Sequence, residues 1–236
     1  MEHSHHRHVS ALMIAVFTSM LGASAIAAEG PTFAYAALDT DIAEQGGETV
    51  LTWNGQGWIG GDFHKLWVKT EGERAAGDLE EAELQALYSR MIAPFWDFQA
   101  GIRYDFEPEG RAYATAGFMG LAPYWFEVDA AAFLSEDGDV SAHLDVDYEL
   151  LFTQRLIGSP YAEVELFAQD VPELEVGSGL ATLNSGFQLR YEITRKFAPY
   201  VDINYERAFG ASADMRRAAG EDVETTTVRF GVRLVY

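Results

Sequence analysis

The sequence predicts an all-β chain: a transmembrane, antiparallel, up-and-down β-barrel of about twelve strands that follows a signal peptide. Three observations support this prediction. Residues 1–28 contain a short apolar run followed by small residues. From residue 32 onward, apolar and polar residues alternate with a period of two, in segments of about ten residues. The chain then ends inside such a segment, on the aromatic residue Tyr236.

The N-terminal segment has the organisation of a secretory signal peptide. Residues 9–21 are apolar but too short to span a bilayer comfortably, and A-x-A cleavage patterns follow at 23–25 and 25–27. We therefore predict a signal peptide over residues 1–28 and a barrel domain over residues 29–236. Histidines precede the apolar run and would be removed with it: His3, His5, His6 and His8.

Composition excludes several classes of function. The 236-residue chain carries a net charge of −21, which argues against nucleic-acid binding because such binding needs a basic face. The sequence has no cysteine, so disulfides, thiolate catalysis and thiolate metal sites are excluded. No stretch after the signal peptide has the length and hydropathy of a transmembrane helix.

The strands follow from the alternation, which is clearest in residues 95–106. There every second residue from Trp96 onward is apolar, and the residues between them include Asp97, Gln99 and Arg103. Segmenting the chain on this pattern predicts strands at residues 32–43, 49–60, 62–72, 80–92, 95–106, 110–121, 124–136, 139–155, 159–168, 180–194, 198–208 and 224–236.

The connections between these strands fall into two classes. Tight turns are predicted at "EPEG", "LAP", "EDG", "GSP" and "KFAP". Longer loops are predicted at residues 70–80, 169–179 and 210–222. Short turns at one end and longer loops at the other are typical of an outer-membrane barrel.

A secreted β-sandwich is the alternative, since it would also alternate apolar and polar residues. The placement of aromatic residues near strand ends favours the barrel, because such residues form girdles at the membrane interfaces. They are Trp96, Phe106, Tyr124, Phe126, Phe152, Phe197, Tyr200 and Tyr236. In the last strand, lipid-facing positions are predicted at Val228, Phe230, Val232, Leu234 and Tyr236. Arg229 and Arg233 would then face the lumen.

The same register places many charged side chains in the lumen. Its predicted acidic residues are Asp97, Asp105, Glu127, Asp129, Asp145, Asp147, Glu149, Glu163, Glu165, Glu192, Asp202 and Glu206. Its predicted basic residues are Lys65, Lys69, Arg103, Arg155, Arg190, Arg229 and Arg233. Two interpretations are open: cross-strand ion pairs that fill a narrow barrel, or an acidic conduit that binds cations.

Several segments together resemble the copper resistance protein B family of Gram-negative outer-membrane proteins. They are "WIGGDFHKLWVKTEGE" (58–73), "LYSRMIAPFWDFQAGIRYD" (87–105), "GLAPYWFEVDAAAFLSEDGDVSAHLDVDYELLFTQRLI" (120–157), "RYEITRKFAPYVDINYERAFG" (190–210) and the C-terminal strand. The resemblance covers residues 36–236 and implies location in the bacterial outer membrane, contact with its lipid, and a role in copper tolerance. It also implies copper ions as the bound metal and a periplasmic copper protein as a further partner. Many members carry a Met- and His-rich segment before the barrel, and we expect that segment to be missing here.

The metal-site candidates are His143, Asp145, Asp147 and Met119. The first three share one face with Glu149 at two-residue steps, and imidazole and carboxylate ligands suit Cu(II). Same-face residues rise about 6.6–7 Å apart, so one or two of them at most would share an ion with a neighbouring strand. Packing is the alternative role for Met119, and His64, near a strand start, is predicted to be an interfacial side chain.

These observations predict an outer-membrane barrel that contributes to copper resistance by binding copper ions or controlling their passage. A general small-solute porin is the first alternative and a barrel enzyme the second. The sequence contains no G-x-S-x-G motif, and its abundant carboxylates select no acid–base pair. We therefore predict that the protein is not an enzyme.

Overall fold

The computed structural model describes residues 31–236, so the predicted signal peptide and the histidines within it lie outside the described residues. In this range the chain forms one antiparallel sheet that closes into a twelve-stranded barrel. Its strand segments are β1 (Phe33–Gln45), β2 (Glu48–Gly60), β3 (His64–Ala75), β4 (Asp78–Ala93), β5 (Trp96–Glu107), β6 (Arg111–Leu121), β7 (Phe126–Ser135), β8 (Val140–Tyr148), β9 (Leu150–Leu151), β10 (Leu156–Phe167), β11 (Gly179–Tyr191), β12 (Phe197–Ala208) and β13 (Glu224–Val235).

Closure comes from pairing between β1 and β13, in a register that places Ala37 opposite Val235. Each consecutive pair of strands is also antiparallel, so the described sheet has no free edge. The short segment β9 continues β8, because both pair with β10. The interruption at Glu149 lies beside Pro160 of β10, which cannot donate a ladder hydrogen bond. The prediction of a twelve-stranded antiparallel barrel is therefore confirmed.

The two faces of the sheet match the predicted alternation. Ile102 is 64% exposed and Phe230 is 58% exposed on the outer surface, where lipid replaces water. Val228, Leu234 and Tyr236 are exposed on the same outer face. Inside the barrel, Arg233 pairs with Asp39 at 3.5 Å. The chemistry of the bilayer sets this register, because a lipid-facing Arg near the midplane costs about 2–4 kcal/mol.

Exposed aromatic residues ring the end of the barrel at which β1 begins and β13 ends. They include Phe33, Phe63, Phe95, Tyr124, Trp125, Phe152, Phe197 and Tyr236. Tyr200 does not belong to this girdle, contrary to the prediction. It is only 5% exposed and lies in the lumen, where its hydroxyl donates a hydrogen bond to Asp41 at 2.8 Å.

Two predicted turns differ from the structure. The "GSP" turn lies inside β10, and the chain instead turns at residues 152–155, where Thr153 Oγ1 accepts from the backbone N–H of Leu156 at 2.9 Å. Arg155 is therefore exposed in a turn and does not face the lumen as predicted. The loop predicted at 70–80 is a tight turn, because Ala76 and Gly77 adopt positive φ of 51° and 99° and let β3 and β4 extend.

The two longest connections, residues 168–178 and 209–223, lie at the opposite end of the barrel from the aromatic girdle. The second contains helix α1 (Gly210–Ala219), where the sequence predicted a loop, and Gly220 ends it in the left-handed conformation. The connections contact each other, since Gly177 N–H donates to buried Ser212 Oγ at 2.8 Å. Longer loops are extracellular in outer-membrane barrels, so we call this the extracellular end and the other the periplasmic end.

The extracellular connection of residues 168–178 is also ordered internally. Its Asp170 carboxylate accepts a hydrogen bond from the backbone N–H of Ser178 at 2.7 Å, and this contact lowers the pKa of Asp170. Within residues 31–236, no helix has both the length and the hydropathy needed to cross a bilayer.

Candidate metal site in the lumen

A cavity of about 440 Å³, called the main cavity below, lies inside the barrel against the wall formed by β2–β8 and β10. Near the periplasmic end it is lined by Met91, Phe95 and Met119, and deeper in the lumen by Glu83 and Glu165. A second cavity of about 190 Å³ lies under Leu174 and Val176 of the extracellular connection. The two cavities share lining residues, namely Glu71, Glu83, Arg103, Phe133, His143 and Glu165.

Arg103 is fixed among these shared residues. Its guanidinium pairs with Glu83 at 2.8 Å and Asp105 at 2.6 Å. It also lies 5.0 Å from the centroid of the Phe133 ring, in cation–π contact. Arg103 is therefore a structural cation whose charge is already matched, and it lines both cavities.

The lumen beside β10–β13 and β1 is filled by hydrogen-bonded side chains. Tyr161 of β10 crosses Gly186 of β11, and its hydroxyl donates to Asp202 of β12 at 2.8 Å. Tyr200 of β12 crosses Gly231 of β13 in the same way and reaches Asp41 of β1. A Cβ on Gly186 or Gly231 would lie 2.4 Å from the tyrosine above it, so glycine is required for both crossings. We call these two arrangements the tyrosine bridges.

Ion pairs use part of the acidic surface that faces the main cavity. Lys65 pairs with Asp97 at 2.6 Å. Lys69 of β3 pairs with Asp129 of β7, across strands that are not neighbours in the sheet. The interpretation as a lumen filled by ion pairs therefore describes part of the barrel, while other carboxylates lining the cavity remain available.

The clearest metal-ligand geometry is a cluster of His143 on β8 with Glu163 and Glu165 on β10. Ligand atoms of the three side chains all lie within 4.8 Å of one another, and His143 Nδ1 is 3.5 Å from Glu163 Oε1. The register explains this proximity, because β8 and β10 are neighbours and His143 pairs directly with Glu165. Thr182 donates a hydrogen bond to Glu165 at 2.9 Å and orients its carboxylate. Imidazole with two carboxylates is a ligand set suited to a divalent transition metal.

The predicted candidates His143, Asp145, Asp147 and Met119 all line the main cavity, but they do not converge on one point. Asp145 pairs with Glu163 in the ladder, and Asp147 lies one step further toward the periplasmic end, opposite Tyr161. Met119 lies on β6, separated from β8 by β7.

Glu163 and Glu165 were placed in the lumen from the sequence but were not identified as partners of His143. The alternation in "YAEVELF" gives their face, whereas the pairing register that joins them to His143 is set by the whole sheet. His64 matches its prediction, because it is exposed on the outer face and its Nδ1 lies 2.5 Å from the hydroxyl of Tyr88.

Comparison with known proteins identifies the family. A sequence profile of the copper resistance protein B precursor family matches residues 34–236. The chain belongs to this family. It is 42% identical over 187 residues to a copper resistance protein B homolog from Pseudomonas syringae pv. tomato, an alignment that covers 79% of this chain and 64% of the relative. It is 40% identical over 185 residues to copper resistance protein B from Escherichia coli, covering 78% and 62% respectively. The matched part of this family member thus spans just under two thirds of these relatives.

Solved structures agree with this family member in fold. The NanC porin gives a TM-score of 0.58 at 13% identity, covering 84% of this chain and 98% of the porin. The KdgM porin gives a TM-score of 0.53 at 11% identity, covering 85% and 98%. At such low identity the likeness shows the fold alone. The fold and the family together place this copper resistance protein B family member in the bacterial outer membrane.

Proposed function

We propose that this barrel contributes to copper resistance by binding Cu(II) in its lumen and controlling passage of the ion. The observation that carries the proposal is the meeting of His143, Glu163 and Glu165 beside the main cavity. Family membership supplies the metal, and the ligand types suit it, since imidazole and carboxylate both bind Cu(II). Outer-membrane lipid surrounds the barrel, and a periplasmic copper protein stays a predicted partner.

The electrostatics of the cavity support a cation as cargo. Among residues 31–236, Asp145, Asp147, Glu163 and Glu165 have no Lys or Arg within ion-pair distance, unlike Asp97 and Asp129. Lys65, Lys69 and Arg103 also line the cavity, but carboxylates outnumber them, and a cleft with an excess of one sign of charge raises the local concentration of the opposite ion. Binding at the cluster needs no covalent step, so no catalytic activity is proposed.

The first test is growth of a deletion strain in rising copper, with zinc and a bile-salt detergent as controls. We expect copper-specific sensitivity that the wild-type gene rescues and the double variant His143→Ala/Glu163→Gln does not. His64→Ala is the matched control, because His64 lies on the outer face, and it is expected to rescue fully. Equal sensitivity to all three agents, or none to any, would instead favour the porin alternative.

A direct binding test complements the growth assay. Electron paramagnetic resonance of Cu(II) added to the purified barrel is expected to report nitrogen coordination from one imidazole. The signal should lose its nitrogen coupling in His143→Ala and keep it in His64→Ala. A spectrum that is identical in all three proteins would contradict the proposed ligand set.

A further inference from the structure

The periplasmic end of the main cavity contains a second group of side chains with metal-binding chemistry. Residues 31–236 contain three methionines, and two of them, Met91 and Met119, line this cavity. The third, Met215, lies on helix α1 at the other end of the barrel. Thioether side chains are unusual in a lumen wall that is otherwise mostly charged and polar, so their position calls for an explanation.

Register places the two methionines on either side of one carboxylate. Met91 of β4 pairs with Asp97 of β5, and Asp97 pairs with Met119 of β6. Strands lie about 4.7–4.9 Å apart, so the two methionine Cα atoms are separated by roughly twice that spacing. Methionine has three rotatable bonds, which let both sulfur atoms turn toward the space above Asp97.

Neighbouring polar groups contact Met119 and Asp97. Gln99 donates to Met119 Sδ at 3.6 Å, and Ser89 donates to Asp97 Oδ2 at 3.1 Å. Lys65 pairs with the same carboxylate oxygen at 2.6 Å. The lysine largely cancels the charge of Asp97, so the group offers two neutral soft ligands with little net negative charge. That environment disfavours a divalent ion, whereas thioethers select Cu(I).

We propose that Met91 and Met119 form a soft-metal site at the periplasmic end of the cavity, which takes Cu(I) and its redox-inert analogue Ag(I). The site is separate from the His143 cluster, which takes Cu(II). It extends the proposed function by adding a second binding site, for Cu(I). It rests on the proposed function only for the identity of the metal. The soft-metal chemistry itself depends on the two sulfur atoms.

The test is Ag(I) binding to the barrel purified from outer membranes, measured by isothermal titration calorimetry for the wild type and for Met91→Leu/Met119→Leu. Leucine conserves volume and lacks the thioether, so the fold is retained. Even loss of outer-shell partners costs metal sites about 10–100-fold in affinity, and loss of both ligands is expected to weaken Ag(I) binding by at least about 100-fold. Met215→Leu is the matched control and should bind Ag(I) as the wild type does.

Electron paramagnetic resonance of Cu(II) added to the same protein variants distinguishes this inference from the proposed function. Retained Cu(II) binding in Met91→Leu/Met119→Leu, with Ag(I) binding lost, supports two sites. Unchanged Ag(I) affinity in that double variant overturns the soft-metal site, whatever the fate of Cu(II). Loss of Ag(I) binding in His143→Ala, which keeps both methionines, would likewise overturn it by assigning the ion to the imidazole.

Discussion

Individual carboxylates in the lumen differ in the side chains that contact them. Lys65 and Lys69 hold Asp97 and Asp129, so these acids stabilise the wall. Glu163 instead lies 3.5 Å from the imidazole of His143, and a carboxylate oxygen of Glu165 lies within 4.8 Å of the same ring. A metal ion bound to His143 would meet two carboxylates without breaking an ion pair to a lysine or arginine.

Single substitutions distinguish the cluster of His143, Glu163 and Glu165 from the row of candidates on β8 that the sequence predicted. Glu165→Gln removes a carboxylate of the cluster, whereas Asp147→Asn removes one at the same face but outside it. We expect Glu165→Gln to weaken Cu(II) affinity by at least about tenfold, since even loss of an outer-shell partner costs about 10–100-fold, and Asp147→Asn to change it less. Competition with a chromophoric chelator measures both constants, and a larger effect of Asp147→Asn would contradict the cluster.

The sequence was sufficient to place His143 in the lumen but insufficient to find its partners. Alternation fixes the face of a residue within its own strand, because side chains repeat every second position. Pairing between strands depends on turn geometry, and the turn before β10 was misplaced at "GSP". That error shifted the start of β10 and hid the contact of His143 with Glu165.

At the scale of strands, the tyrosine bridges show how the sheet fills part of its own interior. In each bridge a tyrosine on one strand crosses a glycine on the next strand and reaches an aspartate on the strand beyond. The glycines in "NSGFQL" and "RFGVRL" are therefore packing residues, although a glycine inside a strand pattern normally weakens it.

Adding a methyl group at one crossing tests this view. In Gly231→Ala the new Cβ would lie 2.4 Å from Tyr200 Cζ and 2.6 Å from the Thr40 carbonyl oxygen. We expect the free energy of unfolding to fall by about 1–3 kcal/mol, as overpacking does, in urea titrations of the detergent-solubilised barrel. Gly61→Ala is the control, because nothing approaches its Cβ closer than 3.8 Å. Equal stability of the two variants would contradict a packing role for Gly231.

The face on which a strand residue lies also predicts whether a charged substitution at that position is tolerated. Ile203 lies near the middle of β12 and faces lipid, whereas Asn54 of β2 faces the main cavity. We expect Ile203→Lys to lower stability by about 2–4 kcal/mol, the cost of a charge near the bilayer midplane, and Asn54→Lys to be nearly neutral. Unfolding of the barrel in lipid vesicles compares the two. A larger loss in Asn54→Lys would reverse the assignment of faces.

The strands were the most predictable part of the molecule, because lipid outside and water inside impose a strict period of two. Helix α1 was missed, since "GASADMRRAA" sits between strands and has no run of strongly apolar residues to bury. Its order comes from tertiary contacts, such as the pairing of Arg216 with Glu206 at 2.7 Å. The residue pattern within one segment cannot predict such a contact between residues of different segments.

For the whole molecule, the main cavity lies against β2–β8 and β10, and the tyrosine bridges span β10–β13 and β1. The cavity is acidic, and the extracellular connection of residues 168–178 lies over its outer extension. A barrel with this interior should pass small cations in preference to anions, because unpaired carboxylates line the open side.

Planar-bilayer recordings under a KCl gradient test that expectation. The reversal potential should indicate cation selectivity in the wild type and move toward zero in Asp145→Asn/Glu163→Gln/Glu165→Gln. Asp170→Asn removes one negative charge outside the lumen and should leave the reversal potential unchanged. An anion-selective wild type would contradict the acidic conduit.

The tyrosine bridge from Tyr200 to Asp41 has a consequence for how the barrel is made. It joins residues 159 positions apart and crosses the seam at which the last strand meets the first. Contacts this distant along the chain carry a large loop-closure cost, so we expect this bridge to form when the barrel closes. The proposed metal ligands His143, Glu163 and Glu165 lie on β8 and β10, which pair with each other over a much shorter separation along the chain. The contact that spans the seam therefore involves none of the three side chains that we propose to bind copper.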